Sequence, residues 1–248
     1  MPDQNQPRQA EPYTVFAHVY DDVMADIEYE QWAEFILTEA ARRGFAGGRV
    51  LDLGCGTGNS AAPLLRRGYE VIGVDASEAM LDRARERWPE GSWHQADFTD
   101  FRLDGRFSLV QSVFDALNNL LSPEAFLSMA RRVHAHLEPG GLFMFDINTV
   151  AGLRELWEAG FVQGWLGDDW YGWTHKWDEE SRIATVEAGF LIDGTEWIEV
   201  HRERAYEPDE LRSLLQQAGF SGTELIDYPD GEPAPAGAPR LWVVTRRP

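Results

Sequence analysis

Short apolar runs alternate with amphipathic segments along residues 49–147, and this alternation predicts a parallel β-sheet with helices on both faces. The apolar runs predict strands at 49–53, 70–74, just before Gln95, 107–113 and 142–147. The intervening segments predict helices ending near Gly68, running from Ser77 to Pro89, and over 123–137. In a sheet of this kind the ligand crevice lies at the carboxyl ends of the strands.

The segments on either side of this core follow other patterns. Helically spaced apolar residues predict two helices in an N-terminal cap over residues 13–48. After Asn148, three antiparallel strands are expected at 170–177, 182–192 and 196–206, with Asp193-Gly194 as a hairpin turn. We interpret residues 165–206 as an antiparallel β insertion over the crevice. A helix at 208–218 and strands at 223–228 and 241–246 complete one domain, 13–248, after a polar tail, 1–12, that is expected to be disordered.

Composition narrows the range of partners. The chain has 248 residues and a formal net charge of −20, which disfavours binding to nucleic acid and to anionic lipid. No apolar run approaches the roughly 18–20 residues of a membrane span, and one cysteine, Cys55, excludes an internal disulfide. These features predict a cytoplasmic protein without a membrane partner. A basic patch at Arg42, Arg43, Arg66 and Arg67 would be the footprint of an RNA-binding alternative.

A glycine loop follows the first predicted strand of the core. Its spacing, Gly54-x-Gly56-x-Gly58, differs from the G-x-G-x-x-G that cradles a pyrophosphate in dinucleotide enzymes. Asp75 ends the second strand, where a carboxylate can accept both hydroxyls of a ribose. Asp97, after the third strand, can accept a hydrogen bond from an adenine amino group, with Phe98 beside the ring. Together these residues predict a site for an adenosyl group without a pyrophosphate.

The segments 50–58, 73–77, 96–98 and 139–141 resemble the sequential motifs of class I S-adenosylmethionine (AdoMet)-dependent methyltransferases. The resemblance implies a Rossmann-like, doubly wound, seven-stranded α/β sheet whose last strand is antiparallel, with AdoMet as cofactor and S-adenosylhomocysteine as product. It implies that the following residues bind the cofactor: Tyr20, Trp32, Gly54, Cys55, Gly56, Thr57, Asp75, Ala76, Met80, Asp97, Phe98 and Ser112.

A narrower resemblance reaches beyond the core. The segments 16–21, 114–119, 145–148 and 201–206 are similar to a bacterial group of small-molecule-type methyltransferases related to the N,N-dimethyltransferases of amino sugars and to glycine N-methyltransferase. It implies that Tyr20 approaches the reacting centre. Asn118 is a further catalytic candidate, and so is His201, a histidine on a predicted lid strand, because an imidazole suits a general base. Where amino-sugar enzymes tend to carry histidine, this chain has Asn119. The implied acceptor-side residues are Phe114, Asp115, Asn119, Asn148, Arg204 and Tyr206.

The leading interpretation is methyl transfer by in-line displacement to nitrogen or oxygen of a small molecule. An RNA-modifying methyltransferase, an NAD(P)-dependent oxidoreductase and a catalytically silent AdoMet-binding protein are the alternatives. Asp115, Asp146 and Asn148 suggest the oxygen ligands of Mg²⁺-dependent enzymes, but their spacing does not require a metal, and we predict none. Aromatic residues from Trp157 to Trp197 are expected to pack the small sheet or, alternatively, to wall the acceptor pocket. The oligomeric state stays open, with a homodimer as one option.

Overall fold

The computed structural model describes residues 6–158 and 161–248, and two sheets organise them. The strands are β1 (Arg8–Ala10), β2 (Val50–Leu53), β3 (Val71–Asp75), β4 (Ser92–Gln95), β5 (Phe107–Ser112), β6 (Leu137–Asn148), β7 (Val162–Leu166), β8 (Asp169–Asp178), β9 (Ile183–Ile192), β10 (Thr195–Arg204), β11 (Ser221–Ile226) and β12 (Arg240–Arg246). The α-helices are α1 (Tyr20–Val23), α2 (Tyr29–Arg42), α3 (Ala62–Arg66), α4 (Glu78–Arg87), α5 (Pro123–His136), α6 (Val150–Glu158) and α7 (Pro208–Gln217), and 3₁₀ turns lie at Phe16–His18 and Ala116–Asn119.

The central sheet has seven strands in the order β11-β12-β6-β5-β2-β3-β4. Strands β4, β3, β2, β5 and β6 are mutually parallel, whereas β12 runs antiparallel to both of its neighbours. The predicted seven-stranded, doubly wound α/β fold is confirmed. The central strands are buried on both faces, which explains why they read as continuous apolar runs rather than as alternating ones.

Helices cover both faces of this sheet. Helices α5 and α7 pack on one face through side chains such as Phe126, Val133 and Leu211, and α2, α3 and α4 pack on the other through Ile36, Leu64 and Leu81. Ser77 caps α4 by accepting a hydrogen bond from Met80 N at 3.3 Å, as the sequence predicts. The chain therefore holds the carboxyl ends of β2–β6 at one fixed edge.

The second sheet, here called the lid sheet, has the order β1-β10-β9-β8-β7. The three predicted insertion strands and the Asp193-Gly194 turn, both residues with positive φ, are present. The sequence analysis missed β7 and the helix α6 that leads into it.

The expectation of a disordered tail is wrong for residues 8–10. They form β1, parallel to β10, and Arg8 lies 5.3 Å over the ring of Trp197. Pairing satisfies backbone groups along the edge of β10, so this polar segment is ordered without an apolar pattern of its own. Residues 1–5 lie outside the described part of the chain.

Candidate active site

The glycine loop begins where β2 ends and is tied to β3, because Gly54 N and Cys55 N both donate to Val74 O, at 2.7 and 3.1 Å. Gly54 has φ +79°, and a Cβ there would stand 2.8 Å from Ala116 Cβ and 3.1 Å from the ring of Phe98. Gly56 has φ +51°, and a Cβ there would meet no described atom within 4 Å. The loop is thus packed on one side and leaves its backbone accessible for a ligand on the other.

Asp75 lies beside this loop at the end of β3. Its Oδ2 accepts from Gly56 N and its Oδ1 from Ser77 N, each at 2.9 Å. Burial raises the pKa of this carboxyl, and the backbone N–H donors oppose that effect. The neighbouring Ala76 is exposed, whereas the Met80 side chain is buried in α4. Asp75 is therefore held at the place where the sequence analysis put the ribose carboxylate.

Asp97 and Phe98 follow β4 at the same edge. Asp97 is exposed, and its Oδ1 accepts from the backbone N of Thr99 at 2.8 Å and from Thr99 Oγ1 at 2.5 Å. The ring of Phe98 packs against Gly54. The glycine loop, Asp75 and Asp97 thus lie at one edge of the sheet. The loop backbone and the two carboxylates fit the adenosyl group of AdoMet.

Three residues of the expected cofactor set use their side chains inside the protein. Cys55 is buried next to Gly73, and burial raises the pKa of its thiol well above the usual range. Ser112 Oγ donates to Leu53 O at 2.6 Å in the core, and Thr57 Oγ1 donates to Asp21 Oδ1 at 2.6 Å. The side chains of these three residues therefore point into the protein, and their contact with the cofactor stays a prediction.

Asp21, in α1, is a residue that sequence reasoning missed. Besides Thr57, it accepts from Asn59 Nδ2 at 2.8 Å and pairs with Arg87 at 2.6 Å. It therefore fixes the far side of the glycine loop. The only signal in the sequence was its position next to Tyr20 in a segment with family resemblance.

The N-terminal segment brings tyrosines over the crevice. Tyr20 is hydrogen-bonded to Tyr29, and burial raises its pKa well above the usual range. Tyr13, which was not predicted, is hydrogen-bonded to Asn119, and burial likewise raises its pKa. Its carbonyl accepts from Ser77 Oγ at 2.8 Å, which ties the segment to the start of α4.

Trp32 packs among aromatic residues that follow β5 and lie on β12. Its ring centroid is 5.9 Å from that of Phe114 and 5.5 Å from that of Trp242, and Arg240 lies 5.7 Å over the ring. Contact of Trp32 with the cofactor stays a prediction.

The turn after β5 carries an ionic network. Phe114 and Asp115 both have positive φ, +62° and +49°. Asp115 N donates to Asp146 Oδ2 at 3.1 Å, and Asn148 Nδ2 donates to Asp115 Oδ2 at 2.8 Å. Arg240, at the start of β12, donates to Asp146 and, at 3.4 Å, to Asp115. Burial raises the pKa of Asp146, although Arg240 opposes the shift. The network fixes Asp115 at the turn after β5, and its role toward the acceptor stays a prediction.

Three of the expected site residues make side-chain contacts with other parts of the protein. Asn118 is fully buried, donates to the carbonyls of Asn148 and Arg204 at 3.0 and 2.8 Å, and accepts from Asn148 N at 3.0 Å. Tyr206 is fully buried and donates its hydroxyl to Leu120 O. The Arg204 guanidinium pairs with Glu210 at 2.7 Å and covers the Tyr206 ring. These contacts engage all three side chains within the protein, and the catalytic role of Asn118 and the substrate roles of Arg204 and Tyr206 stay predictions.

His201 lies on the inner face of the lid sheet, under Tyr13. The two ring centroids are 4.7 Å apart, and His201 Nε2 is 2.9 Å from Glu199 Oε2. Glu199 is fully buried and accepts from the backbone N of Tyr13 (2.9 Å), Val15 (2.5 Å) and Phe16 (3.0 Å). This geometry makes His201 part of an anchor for the N-terminal segment, and its role as a general base stays a prediction.

The lid aromatics mainly pack the small sheet. Tyr171 and Trp173 join the cluster of Phe16 and Phe190, and Trp165 is 64% exposed. The side chain of Trp157 lies outside the described residues.

Comparisons with known proteins show similarity to methyltransferases. Residues 50–141 match the family described as "Methyltransferase domain". YqeM of Bacillus subtilis, named as a methyltransferase, is 28% identical over 93% of this chain and 95% of its own. The dTDP-3-amino-3,6-dideoxy-alpha-D-glucopyranose N,N-dimethyltransferase of Streptomyces fradiae is 26% identical over 88% of each chain. The crystal structure of an S-adenosylmethionine-dependent methyltransferase from Clostridium acetobutylicum is 23% identical, covers 94% of this chain and 98% of that one, and has a TM-score of 0.81.

The protein is thus an S-adenosylmethionine-dependent methyltransferase of the class I, Rossmann-like fold. Within the described residues, no helix is both long and apolar enough to cross a bilayer.

Proposed function

We propose that the protein transfers the methyl group of AdoMet to a nitrogen or oxygen of a small molecule. The observation that carries this proposal is the enclosure of the acceptor end of the crevice. The hydroxyls of Tyr13 and Tyr20 are buried within range of the charge of Asp115, which follows β5, and both tyrosines pack against residues of the lid sheet. A site closed in this way favours a compact acceptor over a polymer. The named activity of the Streptomyces relative on an amino sugar supports the same substrate size.

When bound, AdoMet supplies an electrophilic methyl group on a sulfonium with a built-in leaving group. The protein's task is alignment: the glycine loop and Asp75 hold the adenosine end, and Tyr13 and Tyr20 restrict the reacting end. Proximity and orientation of this kind can contribute about 7–11 kcal/mol to lowering a barrier. The aromatic faces of Tyr20 and Phe114 suit a nearby positive charge.

The arginines of the RNA alternative do not form a free basic patch. Arg42 and Arg43 pair with Glu39 at 2.5 Å, and Arg43 also pairs with Glu224. Arg66 and Arg67 pair with Glu30 at 2.7 and 2.5 Å. These carboxylates neutralise the positions that would contact phosphates, which favours the small-molecule reading.

Calorimetry and turnover test the proposal. The purified protein should bind S-adenosylhomocysteine and not NAD⁺, and methyl transfer should be found in a screen of small amines and hydroxyl compounds. Bulk tRNA should neither bind in a salt-sensitive way nor accept a methyl group. Binding of NAD⁺ without S-adenosylhomocysteine, or methylation of tRNA alone, would contradict the proposal.

A further inference from the structure

The inner face of β10 carries three ionisable side chains in alternate positions, Glu199, His201 and Glu203. Glu199 Oε2 lies 2.9 Å from His201 Nε2, and the Glu199 carboxylate also accepts from three backbone N–H groups. Glu203 differs, because its Oε2 is shielded from solvent and has no hydrogen-bond partner among the described residues. Buried polar atoms are normally satisfied, so an orphaned carboxylate oxygen next to a binding site points to a ligand.

The position of Glu203 is fixed by its neighbours in the chain. Arg204 O is held by Asn118 Nδ2 at 2.8 Å, which docks the end of β10 on the 3₁₀ turn after Asp115. The charges of Asp115 and Arg240 act on the Glu203 carboxyl, and its own charge acts on the Tyr13 hydroxyl. Glu203 therefore lies near Asp115, Arg240 and Tyr13, at the acceptor end of the crevice.

Negative charge exceeds positive charge here. The charges of Asp115 and Arg240 act on Glu203, and Arg240 also pairs with Asp146. Together with Glu203, this group has three carboxylates and one guanidinium. The Arg240 guanidinium already donates hydrogen bonds to Asp146 and Asp115. Burial, together with Asp115, raises the pKa of Glu203 well above its usual range. A cationic ligand or a proton would relieve this excess.

We propose that Glu203 binds the ammonium group of a small amine acceptor and takes its proton, so that the methyltransferase acts on nitrogen. This rests on the proposed function and names its substrate class. An ammonium N–H proton passes to Glu203 Oε2, and the freed lone pair forms the new N–CH₃ bond. The S–CH₃ bond breaks as that bond forms, and the sulfur keeps the electron pair. The charges of Asp115 and Arg240 act on Glu203 throughout, and the step needs no reactant besides the amine and AdoMet.

The test uses Glu203→Gln, which keeps the shape of the side chain and removes the carboxylate that would accept the proton. Glu187→Gln is the matched control, since Glu187 is exposed on the outer face of the adjacent strand β9. Substrates are primary amines paired with alcohols of the same skeleton: glucosamine with glucose, tyramine with tyrosol, and putrescine with 1,4-butanediol. S-adenosylhomocysteine release is measured from pH 6 to 10, and its affinity is measured by calorimetry.

We expect amines, not alcohols, to be methylated. Glu203→Gln should lower the rate at pH 7 by about 10²-fold or more while S-adenosylhomocysteine affinity stays within about twofold. Because free amine becomes more abundant at high pH, the variant's rate should rise by about tenfold per unit up to the amine pKa. This recovery is a readout that purely structural damage would not produce. The charged groups that act on Glu203 are Asp115 and Arg240, its charge acts on Tyr13, and Arg240 also pairs with Asp146; all of these groups are common to wild type and variant.

Three results would overturn the amine assignment: methylation of alcohols as readily as amines, methylation of neither series, or a Glu203→Gln loss no larger than that of Glu187→Gln. Each leaves the proposed function standing as long as wild type binds S-adenosylhomocysteine. Failure of wild type to bind it would instead refute the methyltransferase proposal itself.

Discussion

Glu199 holds the N-terminal segment on the lid sheet, and its replacement by glutamine should release that segment. The carboxylate is fully buried and accepts from the backbone N of Tyr13, Val15 and Phe16 while contacting His201. A hydrogen bond to a charged group contributes about 1.5–3 kcal/mol. Glutamine keeps one carbonyl oxygen and loses the charge and the second acceptor. We therefore expect Glu199→Gln to destabilise the docked segment by about 2–4 kcal/mol.

Because this segment can detach without global unfolding, hydrogen exchange is the appropriate assay. The amides of Val15 and Phe16 should exchange about 30-fold to several hundredfold faster, since about 1.4 kcal/mol is a factor of ten. Core amides of β2 should keep their protection. S-adenosylhomocysteine affinity should fall too, because Tyr20 and Asp21 follow directly. Unchanged protection at these amides, with Glu187→Gln as control, would refute the reasoning.

Three further outcomes follow from the same geometry. Gly54→Ala should abolish S-adenosylhomocysteine binding in calorimetry, because its Cβ would stand 2.8 Å from Ala116 Cβ at a φ of +79°; retained affinity would show that the loop tolerates this shift. Burial raises the pKa of Asp52 to about 6, so its destabilising effect is absent below the unfolded pKa of about 4, grows between about pH 4 and 6, and is complete above that. Asp52→Asn, which carries no charge, should therefore gain stability over wild type by up to about 3 kcal/mol at pH 8 and little at pH 4, as measured by urea unfolding. Methyl transfer should persist in EDTA, since the described residues contain no cluster of three or more metal-ligating side chains, and Mg²⁺ rescue would contradict this.

The cofactor end of the site could be predicted from the sequence because its parts are local. Gly54, Asp75 and Asp97 each follow a strand, and parallel strands bring their carboxyl ends together whatever the rest of the chain does. Positive φ at Gly54 and Gly56 and the capping role of Ser77 are likewise readable from short segments.

The acceptor end could not be predicted in this way because its partners are distant in sequence. Asn118 looked like a site residue in its segment, yet it bonds across 86 positions to Arg204 O. Glu203 and His201 lie two residues apart on the inner face of β10, and nothing in the sequence tells which of their side chains contacts Glu199. The strand β1 was missed for a related reason, since it is ordered by pairing with β10 and not by an apolar pattern.

The N-terminal segment links the two ends of the crevice through hydrogen bonds. Glu199 binds it at Tyr13 to Phe16, Ser77 Oγ holds the Tyr13 carbonyl, and Asp21, a few residues on, accepts from Thr57 of the glycine loop. Lid sheet, cofactor loop and tyrosine cover are thus linked through fewer than ten residues. A movement of the lid that admits an acceptor must therefore act on the backbone that supports the glycine loop. Acceptor entry and cofactor affinity are consequently expected to be coupled in this enzyme, through hydrogen bonds that a single buried carboxylate holds in place.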